Sequence, residues 1–136
     1  MVRTVALLFG IVFLAVGILG FVPGAAEPAT HEGLTMTQNS ALLLGLFPVN
    51  LLHNVVHILF GLWGLAAYRS VGGSIGYFRA VAVIYALLTI LGLLPQTNTL
   101  FGLVPLHGND VWLHALLAIV AAYFGFVHRE RAVVDA

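Results

Sequence analysis

Apolar residues in this chain gather into four long runs, not into the short alternating stretches of half-buried strands. Residues 5–22, 48–68, 75–94 and 111–127 are largely apolar, and each lies close to the roughly 17–25 residues that a bilayer-crossing helix needs. Pro23-Gly24 closes the first run and Pro95 the third, because proline cannot continue a helical hydrogen-bond ladder. A further apolar stretch, residues 41–47, leads into the second run. It is expected either to extend that helix outward with a kink at Pro48 or to form a short interfacial helix. Two long polar links, residues 23–40 and 96–110, contrast with a tight one, residues 69–74, that holds Gly72-Gly73. Arg3, the first apolar run and Gly24-Ala25-Ala26 together resemble a signal peptide. The run exceeds the roughly 7–15 residues of a signal core, however, and is read as a helix. The pattern predicts an all-α four-transmembrane-helix bundle, with residues 1–136 as a single membrane domain.

Composition removes the soluble alternatives. Hydrophobic residues make up 61% of the chain and charged residues 7%, with a mean hydropathy of +1.07. Soluble domains carry roughly 25% charged residues, and a small soluble fold has too much surface to hide this much apolar area. The lipid bilayer is therefore the expected partner. The formal net charge is zero and the five cations are scattered, which leaves no basic surface for nucleic acid. Cysteine is absent, so disulfides and thiolate metal sites are excluded.

Charge also orients the spans. Arg3, Arg69, Arg79, Arg129 and Arg131 fall at the N-terminus, around the second-to-third link or at the C-terminus. The two long links contain no cation but hold Glu27, Glu32 and Asp110. Cytoplasmic loops are enriched in Lys and Arg, so both termini are expected in the cytoplasm and the long links outside. Glu130 and Asp135 read as ordinary tail charges.

Within this apolar background, polar residues collect at one depth. Asn50, His53, Asn54 and His57 stand at i, i+3, i+4 and i+7 of the second span, which is one helical face. Asp110 and His114 stand at i and i+4 at the start of the fourth. With a rise of about 1.5 Å per residue, His53 and His114 should be nearly level, with His57 a turn deeper and Asp110 a turn shallower. Ionisable groups inside a span are costly and usually face the bundle interior.

Several chemistries can use such a patch. An H-x3-H pair presents two imidazoles from one face; His114 and Asp110 from a facing helix would complete a four-ligand site. Imidazole-rich sites suit Zn, Cu or Fe, with Asn50, Asn54, Asn109 and His107 as supporting partners that fix imidazole tautomers. His31 and His107, in the outer links, could also cap the site. A haem held by one His from each of two helices is the weaker cofactor reading, and a proton relay is another. Against these stands a non-catalytic scaffold or accessory subunit in which the His, Asn and Asp side chains form a structural hydrogen-bond network. Asn109 or Asp110 would then simply cap the fourth helix. A metal-dependent membrane hydrolase or oxidase lacks any spare Glu, Ser or Cys placed as base or nucleophile, so enzymatic activity stays undecided. Gly17 with Gly20, Gly61 with Gly64, Ala118 with Ala122, and Ala121 with Gly125 thin the helices for close contact, within the bundle, with a second copy or with a partner membrane subunit. Trp63, Trp112, Tyr68, Tyr77 and Tyr123 are expected in interfacial belts.

The segment Val49-Asn50-Leu51-Leu52-His53-Asn54-Val55-Val56-His57-Ile58-Leu59-Phe60-Gly61 resembles the signature of a family of small bacterial four-helix membrane proteins catalogued as a domain of unknown function. Pro105-Leu106-His107-Gly108-Asn109-Asp110-Val111-Trp112-Leu113-His114 resembles its second signature. The resemblance runs from Arg3 to about Val127. It implies four helices and a multi-pass location in the bacterial plasma membrane, and it brings no substrate.

Overall fold

The computed structural model describes residues 1–130; Arg131 and Asp135 lie outside the described residues. The chain is mostly helical. Helix α1 spans Val2–Leu19, α2 Leu51–Ala67, α3 Val71–Leu93 and α4 Asn109–Ala122, and α4 runs on as one π-helical turn over Tyr123–Val127. Three of these, Val2–Leu19, Val71–Leu93 and Asn109–Val127, are long and apolar enough to cross a membrane. Helix α2, with 17 residues, is shorter.

α1 packs along α2, and α3 along α4. Glycine makes the first pairing close. A methyl group on Gly61 would come within 2.6 Å of the Leu14 nitrogen, and one on Gly64 within 2.7 Å of the Gly10 Cα. Gly125 likewise admits the backbone of Phe78 and Arg79. These small residues are therefore spent on contacts inside the chain. α3 supplies the centre of the core, where Tyr77, Phe78, Val81 and Tyr85 are buried against Phe13 of α1 and Ala118 and Ala121 of α4. Tyr77 does not face outward as a belt residue would: it is 1% exposed, and its hydroxyl donates to the Phe60 carbonyl at 3.1 Å.

The apolar run 41–47 is not helical. It folds as a hairpin in a three-stranded antiparallel sheet ordered β1 (Ala26–Pro28), β2 (Ala41–Leu43), β3 (Phe47–Val49). Leu44 and Gly45 both take positive φ, at 54° and 71°, and the Leu46 N–H donates to the Leu43 carbonyl. Pro48 sits in the edge strand β3, where its missing N–H removes no essential ladder bond. The second helix consequently begins at Leu51 and not at Pro48. α3 begins four residues before the expected 75, its N-terminus capped by Ser70, whose hydroxyl accepts from the Gly73 N–H at 2.9 Å.

The sheet and the 94–108 link cover the same end of the bundle. The Gly102 carbonyl accepts from the Thr35 and Met36 N–H groups and from the Thr35 hydroxyl. Cations gather at the other end. Arg3 donates to the Tyr68 carbonyl, Arg79 donates to the Gly125 carbonyl in the π-turn, and the N-terminal ammonium pairs with Glu130. The ammonium, first, and the Val2 N–H both favour the Glu130 carboxylate and hold its pKa below the usual range.

Candidate metal centre

Local sequence sets the N-terminal end of α2. Asn50 is fully buried and extended, and its side-chain oxygen accepts from the His53 N–H at 3.0 Å, which makes it the N-cap. Its amide nitrogen donates to the Met36 carbonyl at 2.9 Å and the Leu103 carbonyl at 2.8 Å. One side chain thus fixes the helix start and staples both long links over it. From that fixed start, one turn places His53 inward and the next places His57, because residues four apart share a face.

α4 begins differently from the expected cap. Its N-cap is Gly108, at φ 70°, with no side-chain capping bond. Asn109 instead accepts from the Trp112 indole at 2.9 Å and donates to the Leu46 carbonyl at 3.0 Å. Asp110 turns into the bundle and is 1% exposed, with one carboxylate oxygen 3.6 Å from His53 Nε2. Neither residue caps the helix.

His53, His57 and His114 come together. Each offers a ring nitrogen, and the three nitrogens lie within 4.8 Å of one another. Ring centroids are 4.2 Å apart for His53 and His57 and 6.4 Å for His53 and His114. All three residues are at most 5% exposed. A small cavity of about 90 Å³ lies beside them, between α2, α3 and α4, lined also by Leu100, Val104 and Leu106 of the 94–108 link. Among the described residues, no protein group hydrogen-bonds to a ring nitrogen of His53, His57 or His114, and the facing Asp110 oxygen is also without a partner.

The supporting roles expected for the asparagines and His107 are not found. Asn50 and Asn109 bond elsewhere, and Asn54 is fully buried with both amide atoms unpartnered, filling the space that Gly20 leaves open. His107 packs against His31 at 5.7 Å between ring centroids, while His31 Nε2 lies 2.8 Å from the Ala41 carbonyl oxygen. Burial, and then the neighbouring His31, lower the His107 pKa from 6.5. The His31–His107 pair does not line the cavity of the buried trio.

Two aromatic walls were not foreseen. Tyr85 of α3 meets His114 edge-on at 5.0 Å, and Phe13 of α1 meets His57 edge-on at 5.5 Å. Tyr85 carried a usable signal, since a tyrosine in the middle of an apolar span departs from the interfacial belt. Phe13 carried none, being one more apolar residue in an apolar helix.

Three nitrogens and a nearby carboxylate are a donor set for a borderline transition metal. Bonds of about 2.0–2.1 Å to a tetrahedral ion require nitrogens roughly 3.3–3.4 Å apart, so closing the trio needs rotamer shifts of about an ångström. Asp110 is close to His53 alone and would join as a further ligand or by orienting that ring.

Residues 3–127 match the family described as Domain of unknown function (DUF4383), and the chain belongs to that family. No curated protein and no solved structure matches it.

Proposed function

We propose that this family member is a multi-pass protein of the bacterial plasma membrane that binds a transition metal (Zn, Cu or Fe) near its outer face. His53, His57 and His114 are the ligands, and Asp110 is the fourth ligand or the orienting partner of His53. The observation that carries this is the convergence of three buried imidazoles that no protein group satisfies. A buried polar group left without a partner costs about 1–3 kcal/mol, and a divalent ion relieves several at once.

The alternative of a structural hydrogen-bond network requires these side chains to bond to one another, and among the described residues they do not. A haem needs a flat slot between two axial nitrogens. Here three imidazoles crowd beside a cavity of about 90 Å³, far too small to set a macrocycle between them. In the proposed topology α2 also crosses the bilayer, since its 17 residues rise about 26 Å, near the short limit for crossing. Both termini are cytoplasmic, in keeping with the arginines gathered at their end of the bundle.

Elemental analysis of detergent-purified protein tests the proposal. Wild-type protein should hold about one transition-metal atom per chain, and His57→Ala should hold almost none. Less than one atom per several wild-type chains after metal loading defeats the reading. A Soret band in the absorption spectrum would move it to haem.

A further inference from the structure

The buried trio has a second approach, from the side. An apolar groove of about 460 Å³ runs between α1 and α4, walled by Leu8, Phe9, Val12 and Val16 on one side and Leu113 and Leu117 on the other. It exists because α1 pairs with α2 and α4 with α3, while α1 and α4 approach each other little. Leu8 and Val12 are each 54% exposed at its rim, where a membrane-spanning helix meets acyl chains. One polar residue lines it, and that residue is His57. The same imidazole lines the small cavity beside His53 and His114. His57 is thus a shared wall between a lipid-side groove and the candidate metal centre, and its Nδ1 is buried without a partner.

Charge identifies the occupant. A divalent ion held by three neutral imidazoles and the single carboxylate of Asp110 keeps one positive charge. An uncompensated charge in a low-dielectric interior is strongly unfavourable, so a monoanionic oxygen donor is the complementary partner. The groove offers that donor a wall of hydrocarbon and room along one interhelical seam, which suits a single alkyl chain.

Resting on the transition-metal reading, we propose that the groove binds a free long-chain carboxylic acid from the membrane, its chain between α1 and α4 and its carboxylate reaching the ion past His57. Neutral amphiphiles of the same length leave the charge unbalanced, and short carboxylates lack the chain.

The test uses the full chain in phosphatidylcholine nanodiscs loaded with Co(II), whose visible spectrum reports its ligands. Palmitate should shift the cobalt bands, whereas hexadecanol and acetate at the same concentration should not. Val12→Trp, which fills the groove from its exposed rim, should raise the palmitate concentration needed at least tenfold while cobalt stoichiometry stays unchanged. Cobalt that binds but does not respond to palmitate overturns the inference and leaves the metal reading intact. An equal response to hexadecanol overturns it too, since charge then plays no part. Failure to bind cobalt, Cu(II) or Zn(II) at all removes the metal reading and this inference with it.

Discussion

Replacing His53 by leucine should invert the order of stability between metal-free and metal-loaded protein. His53 is 4% exposed, stands 4.2 Å from the His57 ring centroid, and has both ring nitrogens buried without partners. In the presence of a chelator those nitrogens are a liability. At about 1–3 kcal/mol for an unsatisfied buried group, an apolar replacement of similar size should stabilise the protein. The gain should fall near the lower end, because a cavity of about 90 Å³ has space for a few waters at roughly 30 Å³ each.

With metal the sign changes. An ion at 100 times its dissociation constant stabilises a folded protein by about 2.7 kcal/mol. Loss of one of three imidazoles, taken as about a 100-fold fall in affinity, cuts that to about 0.4 kcal/mol at the same free concentration. At roughly 3–6 °C per kcal/mol for a chain of this size, the wild type should gain about 8–16 °C on loading and the variant only about 1–2 °C. Thermal unfolding in detergent, followed by the fluorescence of Trp63 and Trp112 with EDTA or with buffered Zn(II), Cu(II) or Co(II), reads both arms. A wild-type melting temperature indifferent to all three ions would falsify the ligand assignment. A variant less stable than wild type in EDTA would show that the imidazoles hold the metal-free bundle together.

Other consequences are read separately. Gly61→Ala should destabilise the chain by about 1–3 kcal/mol, because the added methyl meets α1 backbone at 2.6 Å; thermal unfolding checks it, and a neutral result would mean that α1 and α2 are further apart than described. Asn50→Ala should cost about 0.5–2 kcal/mol through the lost cap and free the Met36 and Leu103 carbonyls, so hydrogen exchange should accelerate around Thr35 and Met36; unchanged protection there refutes the staple. The His31–His107 pair should make stability pH-dependent. The folded protein holds the His107 pKa below 6.5, so the unfolded chain binds more protons, and stability is lost as pH falls from about 6.5 through the folded pKa. His107→Gln should flatten that slope in unfolding measured from pH 8 to 5. Finally, an impermeant thiol reagent applied to intact cells should label Thr30→Cys and not Gly72→Cys, a clean readout because the chain has no cysteine; the reverse pattern would invert the proposed topology.

Where one physical rule governed a segment, the sequence alone carried the answer. Long apolar runs mark helices, and the i, i+3, i+4, i+7 spacing of Asn50, His53, Asn54 and His57 marks one face. The structure accordingly brings His53, His57 and His114 together. Where two rules compete, apolar character alone points to the wrong element. Residues 41–47 are as apolar as a span, and their turn is made by Leu44 and Gly45 at positive φ, with no Asn-Gly or Asp-Gly to announce it. Pro48 reads equally well as a helix kink or as a residue of an edge strand, and only tertiary pairing decides between them.

The polar residues divided along the same line. Asn109 and Asp110 both suit a helix cap, yet the cap falls on Gly108. Asn109 is drawn off by Trp112 and Leu46, and Asp110 turns inward toward His53. Spacing gives the face on which a side chain lies, but not which of several nearby partners it takes. In an apolar bundle few partners exist, so which groups are left without one depends on the packing of all four helices. Asn54, Ser40 and His128 also hold buried atoms without partners, but five of the nine such atoms among the described residues gather on the three imidazoles and Asp110, and this gathering, more than the histidine spacing, is what points to a ligand from outside the chain.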